Sequence, residues 1–325
     1  MRTRRLFVML LVCVSFASPA WAQRIRFERS FEITGPAVLD VSTMAGKITV
    51  TAGPAGRVTV QGTATVRVGF GVPQNGLELA QRVAANPPIR QAGNDLRLSV
   101  PTDDAERRWV VVAYEITVPR DTRVTATSDS GAVSIADVAG SVSVRTQSSA
   151  IALQRLGSDV QVDTGSGAVT ATEVGGPVSV TTASSAITLR GLRSALKVRT
   201  RSGAVIADVA PGSDVDIETD SSAMTLSGGA RRLRLASGSG RIHVTGQPTG
   251  NWSVNAGSGH VELMLATQTQ ASIDFSARSG TIAVPDTVTT TTATKQRVIG
   301  AIGSSDARVV VNAGSGGIAL RFAEG

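Results

Sequence analysis

The sequence predicts an all-β chain folded as a parallel β-solenoid with about 18 residues per coil, and three observations carry that prediction. A serine-centred signature, clearest as Ser130-Gly131-Ala132-Val133-Ser134-Ile135, recurs at Ser148, Ser166, Ser184, Ser202, Ser221, Ser239, Ser258, Ser279 and Ser315. Successive anchors are separated by 18, 18, 18, 18, 19, 18, 19, 21 and 36 residues. The last interval is twice 18 and predicts one unit that has lost its signature. Second, an apolar-x-apolar triplet sits six residues before each anchor, from Val124/Ala126 and Val142/Val144 through Trp252/Val254, Ile273/Phe275 and Val309/Val311. Third, another apolar pair follows three and five residues after the anchor, as in Val133/Ile135 and Ile187/Leu189. Alternation with period two is the mark of a half-buried strand, so each unit holds two short strands joined at a small corner.

The parity of the inward-facing positions changes across the corner, so the chain must bend at the Ser-Gly or Ser-Ser step. Small residues permit that bend and let successive coils approach closely. Val138, Leu156, Val174 and Leu192 supply a third inward side. Two residues before the anchor stand Thr146, Thr164, Thr182, Thr200, Thr219 and Ser237, which stacking would place in a hydroxyl ladder.

In chain order, Arg2, Arg4 and Arg5 precede an apolar run from Leu6 to Phe16 and a small-x-small step at Ala20-Trp21-Ala22. This is the pattern of a cleaved signal peptide over residues 1–22, which implies export to the periplasm, the cell surface or the medium. The run is too short to span a bilayer, although an uncleaved anchor is the competing reading. Cys13, the chain's only cysteine, lies inside this segment, so the mature chain has no thiol chemistry and no disulfide.

Residues 23–325 read as a single solenoid domain. Ile25, Phe27, Phe31 and Ile33 mark a first strand able to cap the open end. Leu39/Val41 before Ala45-Gly46-Lys47-Ile48-Thr49-Val50 repeats the unit, so the solenoid starts near residue 38. A capping and insertion region of about 58–110 then interrupts it. Within that region residues 76–85 predict one short helix capped by Asn75, Leu96–Val100 a strand, Asp103–Arg108 a charged turn, and Trp109–Val118 a strong strand. Residues 286–294 read as a Thr-rich excursion before the last full unit, Val309–Leu320.

These features together resemble a family. The early Gly46-Lys47-Ile48-Thr49-Val50, the helix-bearing insertion, Tyr114-Glu115-Ile116-Thr117-Val118-Pro119, the repeated Ser-Gly units and Ile299-Gly300-Ala301-Ile302-Gly303 are similar to the bacterial putative-adhesin family of unknown function, related to the head-domain auto-transporter adhesins. The resemblance covers roughly residues 30–322 and implies a β-helix fold and a surface-interaction role. It brings no catalytic residues with it.

Composition narrows the function classes. Lys and Arg number 32 against 25 Asp and Glu, a net charge of +7 that falls to +4 once three arginines leave with the signal peptide. Aromatic residues are 3% and Tyr114 is the only tyrosine, so the interleaved basic and stacking residues of a nucleic-acid site are missing. The serines sit in Gly-Ser-Gly rather than Gly-x-Ser-x-Gly and recur once per coil, which assigns them to the corner and not to nucleophilic catalysis. His243 and His260, the only histidines, fall at different positions in their units, four and two residues after the anchor, and so do not stack as metal ligands. No phosphate loop or dinucleotide fingerprint occurs. The most chemically loaded stretch is Asp214, Asp216, Glu218 and Asp220, flanked by Arg199 and Arg201 one coil earlier and by Arg231, Arg232 and Arg234 one coil later. It reads as an exposed ion-pair ladder, with a sugar- or ion-binding face as the functional alternative and a polysaccharide-cleaving site as the remote one. The expectation is a non-enzyme without cofactor or metal site, whose outer face binds an envelope protein or a glycan. The alternative is a structural envelope protein that self-associates end to end.

Overall fold

The computed structural model describes residues 24–304 and 306–323, so the predicted signal peptide lies outside the described residues. The N-terminal part contains β1 (Arg24–Glu32), β2 (Val38–Thr43), β3 (Ile48–Gly53), β4 (Arg57–Val66), α1 (Gly76–Ala85), β5 (Ile89–Ala92), β6 (Asp95–Leu98), α2 (Asp104–Trp109) and β7 (Val110–Pro119). Regular coils follow as strand pairs: β8 (Arg123–Ser128) with β9 (Val133–Ala136), β10 (Val142–Ser148) with β11 (Ile151–Leu156), β12 (Val160–Ser166) with β13 (Val169–Val174), and β14 (Val178–Ser184) with β15 (Ile187–Leu192). The series continues with β16 (Leu196–Ser202) and β17 (Val205–Val209), β18 (Asp214–Thr219) and β19 (Met224–Gly228), β20 (Arg232–Ser237) and β21 (Ile242–Gly246), and β22 (Asn251–Ala256) and β23 (Val261–Leu265). The chain ends with β24 (Ala271–Ala277), β25 (Ile282–Ala283), β26 (Thr289–Ala293), β27 (Arg297–Ile302), β28 (Arg308–Ala313) and β29 (Ile318–Phe322).

Two long sheets face each other. The strand before each corner joins one sheet and the strand after it joins the other, always parallel to the equivalent strand of the next coil. The register is the repeat itself: Val142 lies beside Val160, Val160 beside Val178, and Val178 beside Leu196. The predicted inward positions are buried. Val144, Val162, Val180 and Val198 expose 1% or less, and Val138, Leu156, Val174 and Leu192 complete the third side at 2% or less. These side chains belong to one continuous apolar cluster that runs from Phe27 to Leu320. A narrow interior filled by Val, Ile, Leu and Ala explains why a chain with few aromatics still closes a core.

Coil spacing dictates the corner chemistry. A Cβ added to Gly167 would lie 2.2 Å from the Ser149 carbonyl oxygen of the preceding coil, and Gly167 has φ of +126°. Only glycine meets both demands. A second bend, which the sequence pattern does not reveal, lies just before the third inward side. Asp137, Arg155, Glu173 and Gly191 stack at an 18-residue interval with φ of 67°, 51°, 57° and 63°. This left-handed residue turns the chain so that Val138, Leu156, Val174 and Leu192 point inward. Within that column Arg155 Nε donates to Asp137 Oδ1 at 2.6 Å, and this bond holds the Asp137 carboxyl below its ordinary pKa.

The predicted hydroxyl ladder forms only in part. Thr146 and Thr164 bond each other at 2.8 Å, and Thr219 donates to Ser237 at 3.4 Å. Thr182 instead meets the corner hydroxyl of Ser185 at 2.6 Å, and Thr200 donates to the Ser202 carbonyl at 2.9 Å. A local partner two or three residues away competes with the next coil and wins in those units.

The ends depart further from expectation. Asp103–Arg108 is not a turn: Asp104–Trp109 is helical, because the Asp103 side chain accepts from the Glu106 N–H at 2.9 Å and caps it. Helix α1 occupies residues 76–85 as predicted, but Asn75 makes no side-chain capping bond. Strand β7 runs parallel along the outside of β3, and β4 and β1 extend that sheet in antiparallel order, so β4 reverses direction and the edge strand β1 runs with the coils again.

At the C-terminal end no unit has lost its signature. The 36-residue interval arises because the last unit is placed out of order. Strand β28 lies between β22 and β24, parallel to both, and β29 lies between β23 and β25. The intervening chain goes outward to form β27 and β26, antiparallel cap strands on β24, and then returns. Residues 289–293, expected as an excursion, are therefore a strand of the cap.

Candidate functional site

The outer face of the sheet containing β8 to β28 carries the acidic stripe, and the structure divides it. Asp214 accepts from Arg231 at 2.9 Å and lies 3.6 Å from Arg232. Arg199 reaches Asp216 at 2.7 Å and Glu218 at 3.0 Å. The bond to Asp216 raises the Arg199 pKa above its ordinary value, with the charge of Glu218 adding to it. The predicted ladder thus exists across three coils. Among the described residues Arg201, Arg234 and Asp220 take no part in an ion pair.

Register explains what happens next along the face. Glu218 lies beside Ala236, Ala236 beside Asn255, Asn255 beside Asn312, and Asn312 beside Ser276. One residue row further toward the corner come Asp220, Gly238, Gly257, Gly314 and Arg278, linked strand to strand by backbone bonds such as Gly314 N–H to the Ala256 carbonyl at 2.8 Å. Four small residues therefore sit between longer ones. The result is an open groove of about 790 Å³ walled by Glu218 and Asp220 on one side and by Arg278 and Gln296 on the other.

The groove floor is polar and pre-ordered. Ser276 Oγ donates to Asn312 Oδ1 at 2.7 Å, Asn312 Nδ2 donates to Asn255 Oδ1 at 3.0 Å, and Asn255 Nδ2 reaches Ser253 Oγ at 3.5 Å. Gln296 is fixed in turn by its side-chain donation to the Arg278 carbonyl at 3.0 Å. Each primary amide keeps a second N–H and a free acceptor lone pair for a ligand. Such a surface can hold a chain of hydroxyl or amide groups, with one anionic and one cationic border.

Sequence reasoning found the acidic wall and missed the rest. The missing half belongs to strands whose order cannot be read from the repeat. The signal was present, since Asn255, Asn312 and Ser276 all stand three residues before their anchors Ser258, Ser315 and Ser279. The two histidines fall apart, as their spacing implies. His243 is half-buried, with Nδ1 3.3 Å from Glu262 and Nε2 3.1 Å from Thr245. His260 is exposed and lies just before β23 rather than within a strand. Among the described residues no cluster of three or more His, Cys, Asp and Glu side chains gathers to hold a metal. Nor is any described helix long and apolar enough to cross a membrane.

Comparison with known proteins adds a family and a set of distant folds. The sequence profile of the family described as Toastrack DUF4097 matches residues 38–321. No curated protein matches the chain. Among solved structures, a "putative cell adhesion protein" from Clostridium sporogenes ATCC 15579 aligns over 93% of this chain and 100% of its own, at 11% identity and a TM-score of 0.21. A "putative adhesin" from Bacteroides fragilis NCTC 9343 aligns over 91% and 97%, at 11% identity and a TM-score of 0.31. A "putative lipid binding protein" from Parabacteroides distasonis ATCC 8503 aligns over 91% and 96%, also at 11% identity and 0.31.

Proposed function

The chain belongs to the Toastrack DUF4097 family, and from that premise we propose that it is an exported, non-catalytic β-solenoid that binds a polar partner at the cell envelope, a glycan in the first instance, through the groove between Asp220 and Arg278. The observation that carries this reading is the ordered amide row Ser276–Asn312–Asn255 on a floor of glycine and alanine. Preorganised hydrogen-bonding groups lose little freedom on binding, and an open groove admits an extended chain rather than a single small molecule. Export rests on the basic and apolar pattern of residues 2–22.

Self-stacking is the less favoured reading. At each end an antiparallel pair, β4 with β1 and β27 with β26, stands between the coils and the open edge, so a second copy would meet a cap rather than a coil. Cleavage of polysaccharide is disfavoured because Asp216 and Glu218 are tied to Arg199, which leaves Asp220 as the one carboxylate of the stripe outside the ladder.

The test is a glycan array and envelope-polysaccharide binding with the chain from Gln23 onward, alongside Asn255→Ala/Asn312→Ala. Binding that falls at least about tenfold in the double variant, with melting unchanged, supports the groove. Retention of full binding by the variant, or a blank array for the unaltered chain, overturns it. Release of shortened chains from a bound polysaccharide overturns the non-catalytic part alone.

A further inference from the structure

Five large hydrophobic side chains are exposed on the described surface, and three of them lie within five residues: Val68 at 89%, Phe70 at 107% and Val72 at 37%. They form the tip of the loop that leaves β4 after Val66 and enters α1 at Gly76. The base of this loop is anchored. Arg67 N–H donates to the Trp109 carbonyl at 2.8 Å, and the backbone of Gly71, at φ of +81°, passes close to the Trp109 ring. The tip is not anchored, and the Phe70 ring projects away from the fold.

Two surface cations lie beside the base of the loop. Residues 58–77 contain one charged side chain, Arg67. Arg24 lies in register with Thr65, and the Arg108 guanidinium stands 5.2 Å above the Trp109 ring. Of the neighbouring acids, Glu106 pairs with Arg82 at 3.2 Å and Asp104 with Arg107, Asp103 accepts the Glu106 N–H, and Glu78 stands exposed in the first turn of α1. Arg24 and Arg108 therefore stand beside an apolar, convex tip, whereas Arg67 is half-buried with its Nε enclosed beneath the loop.

We propose that the loop 67–72 is a membrane-contact element that seats Val68 and Phe70 at the headgroup–acyl boundary of an anionic bilayer while Arg24 and Arg108 face the lipid phosphates. A projecting tip needs no receiving pocket in a bilayer, whereas a protein partner would have to supply one. Aromatic and aliphatic side chains flanked by cations are the composition that partitions into this boundary. Topology keeps this element clear of the groove: the loop leaves β4 at the N-terminal end of one sheet, whereas the groove lies on β18 to β28 of the other.

The experiment is vesicle flotation with the chain from Gln23 onward, which contains the entire apolar core from Phe27 to Leu320. Vesicles of phosphatidylglycerol with phosphatidylethanolamine are compared with phosphatidylcholine alone. The expected result is flotation with the anionic vesicles, reduced by added salt, and at least about tenfold less partitioning for Val68→Ser/Phe70→Ser at unchanged melting temperature. Phe70→Trp should shift its emission to the blue on vesicle addition, which reports immersion of that side chain itself. Equal flotation of the double variant, absence of any flotation of the unaltered chain, or a Phe70→Trp emission unmoved by lipid overturns the proposal. Equal binding to phosphatidylcholine overturns the role given to Arg24 and Arg108.

Discussion

Asn312 Nδ2 donates to Asn255 Oδ1 at 3.0 Å across 57 residues of sequence, three times the separation of ordinary neighbours in this solenoid. The bond marks the place where the last coil enters between two earlier ones. It also completes the groove floor, so the out-of-order strand and the candidate site are the same feature.

A chain end in a solenoid is usually expendable, but here it is central. Val309, Val311, Ile318 and Leu320 expose 3% or less, and Val309, Val311 and Ile318 have strand neighbours on both sides. Val311→Asp should therefore destabilise by several kcal/mol, as much as Val180→Asp in the middle of the chain, because each buries an unpaired carboxylate in a narrow core. Thermal melting of the two variants checks this. A mild Val311→Asp variant would mean that the terminal coil is not held as described.

The corner separates two adjacent residues. Ser166 Oγ makes only a 3.5 Å contact to Ser148 Oγ, so Ser166→Ala should cost at most about 1 kcal/mol. Gly167→Ala puts a methyl group against the Ser149 carbonyl and should cost upward of about 2 kcal/mol. Denaturant midpoints of both variants give the comparison, and equal midpoints would contradict the coil spacing.

The left-handed column makes a paired forecast. Glu173→Gly relieves a non-glycine φ of 57° and should leave stability unchanged or raise it by up to about 1 kcal/mol. Gly191→Val places a β-branched residue at φ of 63° and should lower stability by about 1–2 kcal/mol. Opposite signs for two positions stacked in one column would be difficult to obtain from any cause except backbone strain.

Tyr114, the only tyrosine, is 1% exposed and burial pushes its pKa above the ordinary value. The sign follows from linkage. An acid whose folded pKa is raised contributes stability below the unfolded pKa of about 10, and that contribution is lost as pH climbs beyond it. The chain should therefore lose stability above about pH 10 more steeply than Tyr114→Phe. Phenolate absorbance, which reports this residue alone, should appear together with unfolding and not before it.

The period, the two strands per coil and nearly every inward side chain were legible because each coil repeats the same burial pattern. The strand order at the ends was not. Triplets such as Ile273/Phe275 and Val309/Val311 are chemically equivalent, so the sequence does not say which of them lies beside Trp252/Val254. The short α2 was hidden because six residues with no buried side chain have no hydrophobic period to display. The left-handed column was hidden because three of its four members are charged residues, and only Gly191 carries the usual mark. The acidic wall of the groove could be read as a run of charges, whereas its amide floor became a site only once distant strands were adjacent.

The placement of the final coil also bears on how the chain acquires its structure. During synthesis or export the edge of β22 is exposed while β24 is already available and β28 is not. Ile273 and Phe275 pair with Val309 and Val311 in the same register that Trp252 and Val254 use, so β24 fits the edge reserved for β28. Reaching the native arrangement requires that this early pairing be avoided or undone until the last fifteen or so residues arrive. The solenoid cannot simply zip from one end to the other. Completion of the groove waits for β28, which follows β24 in the chain yet lies inside it in the sheet.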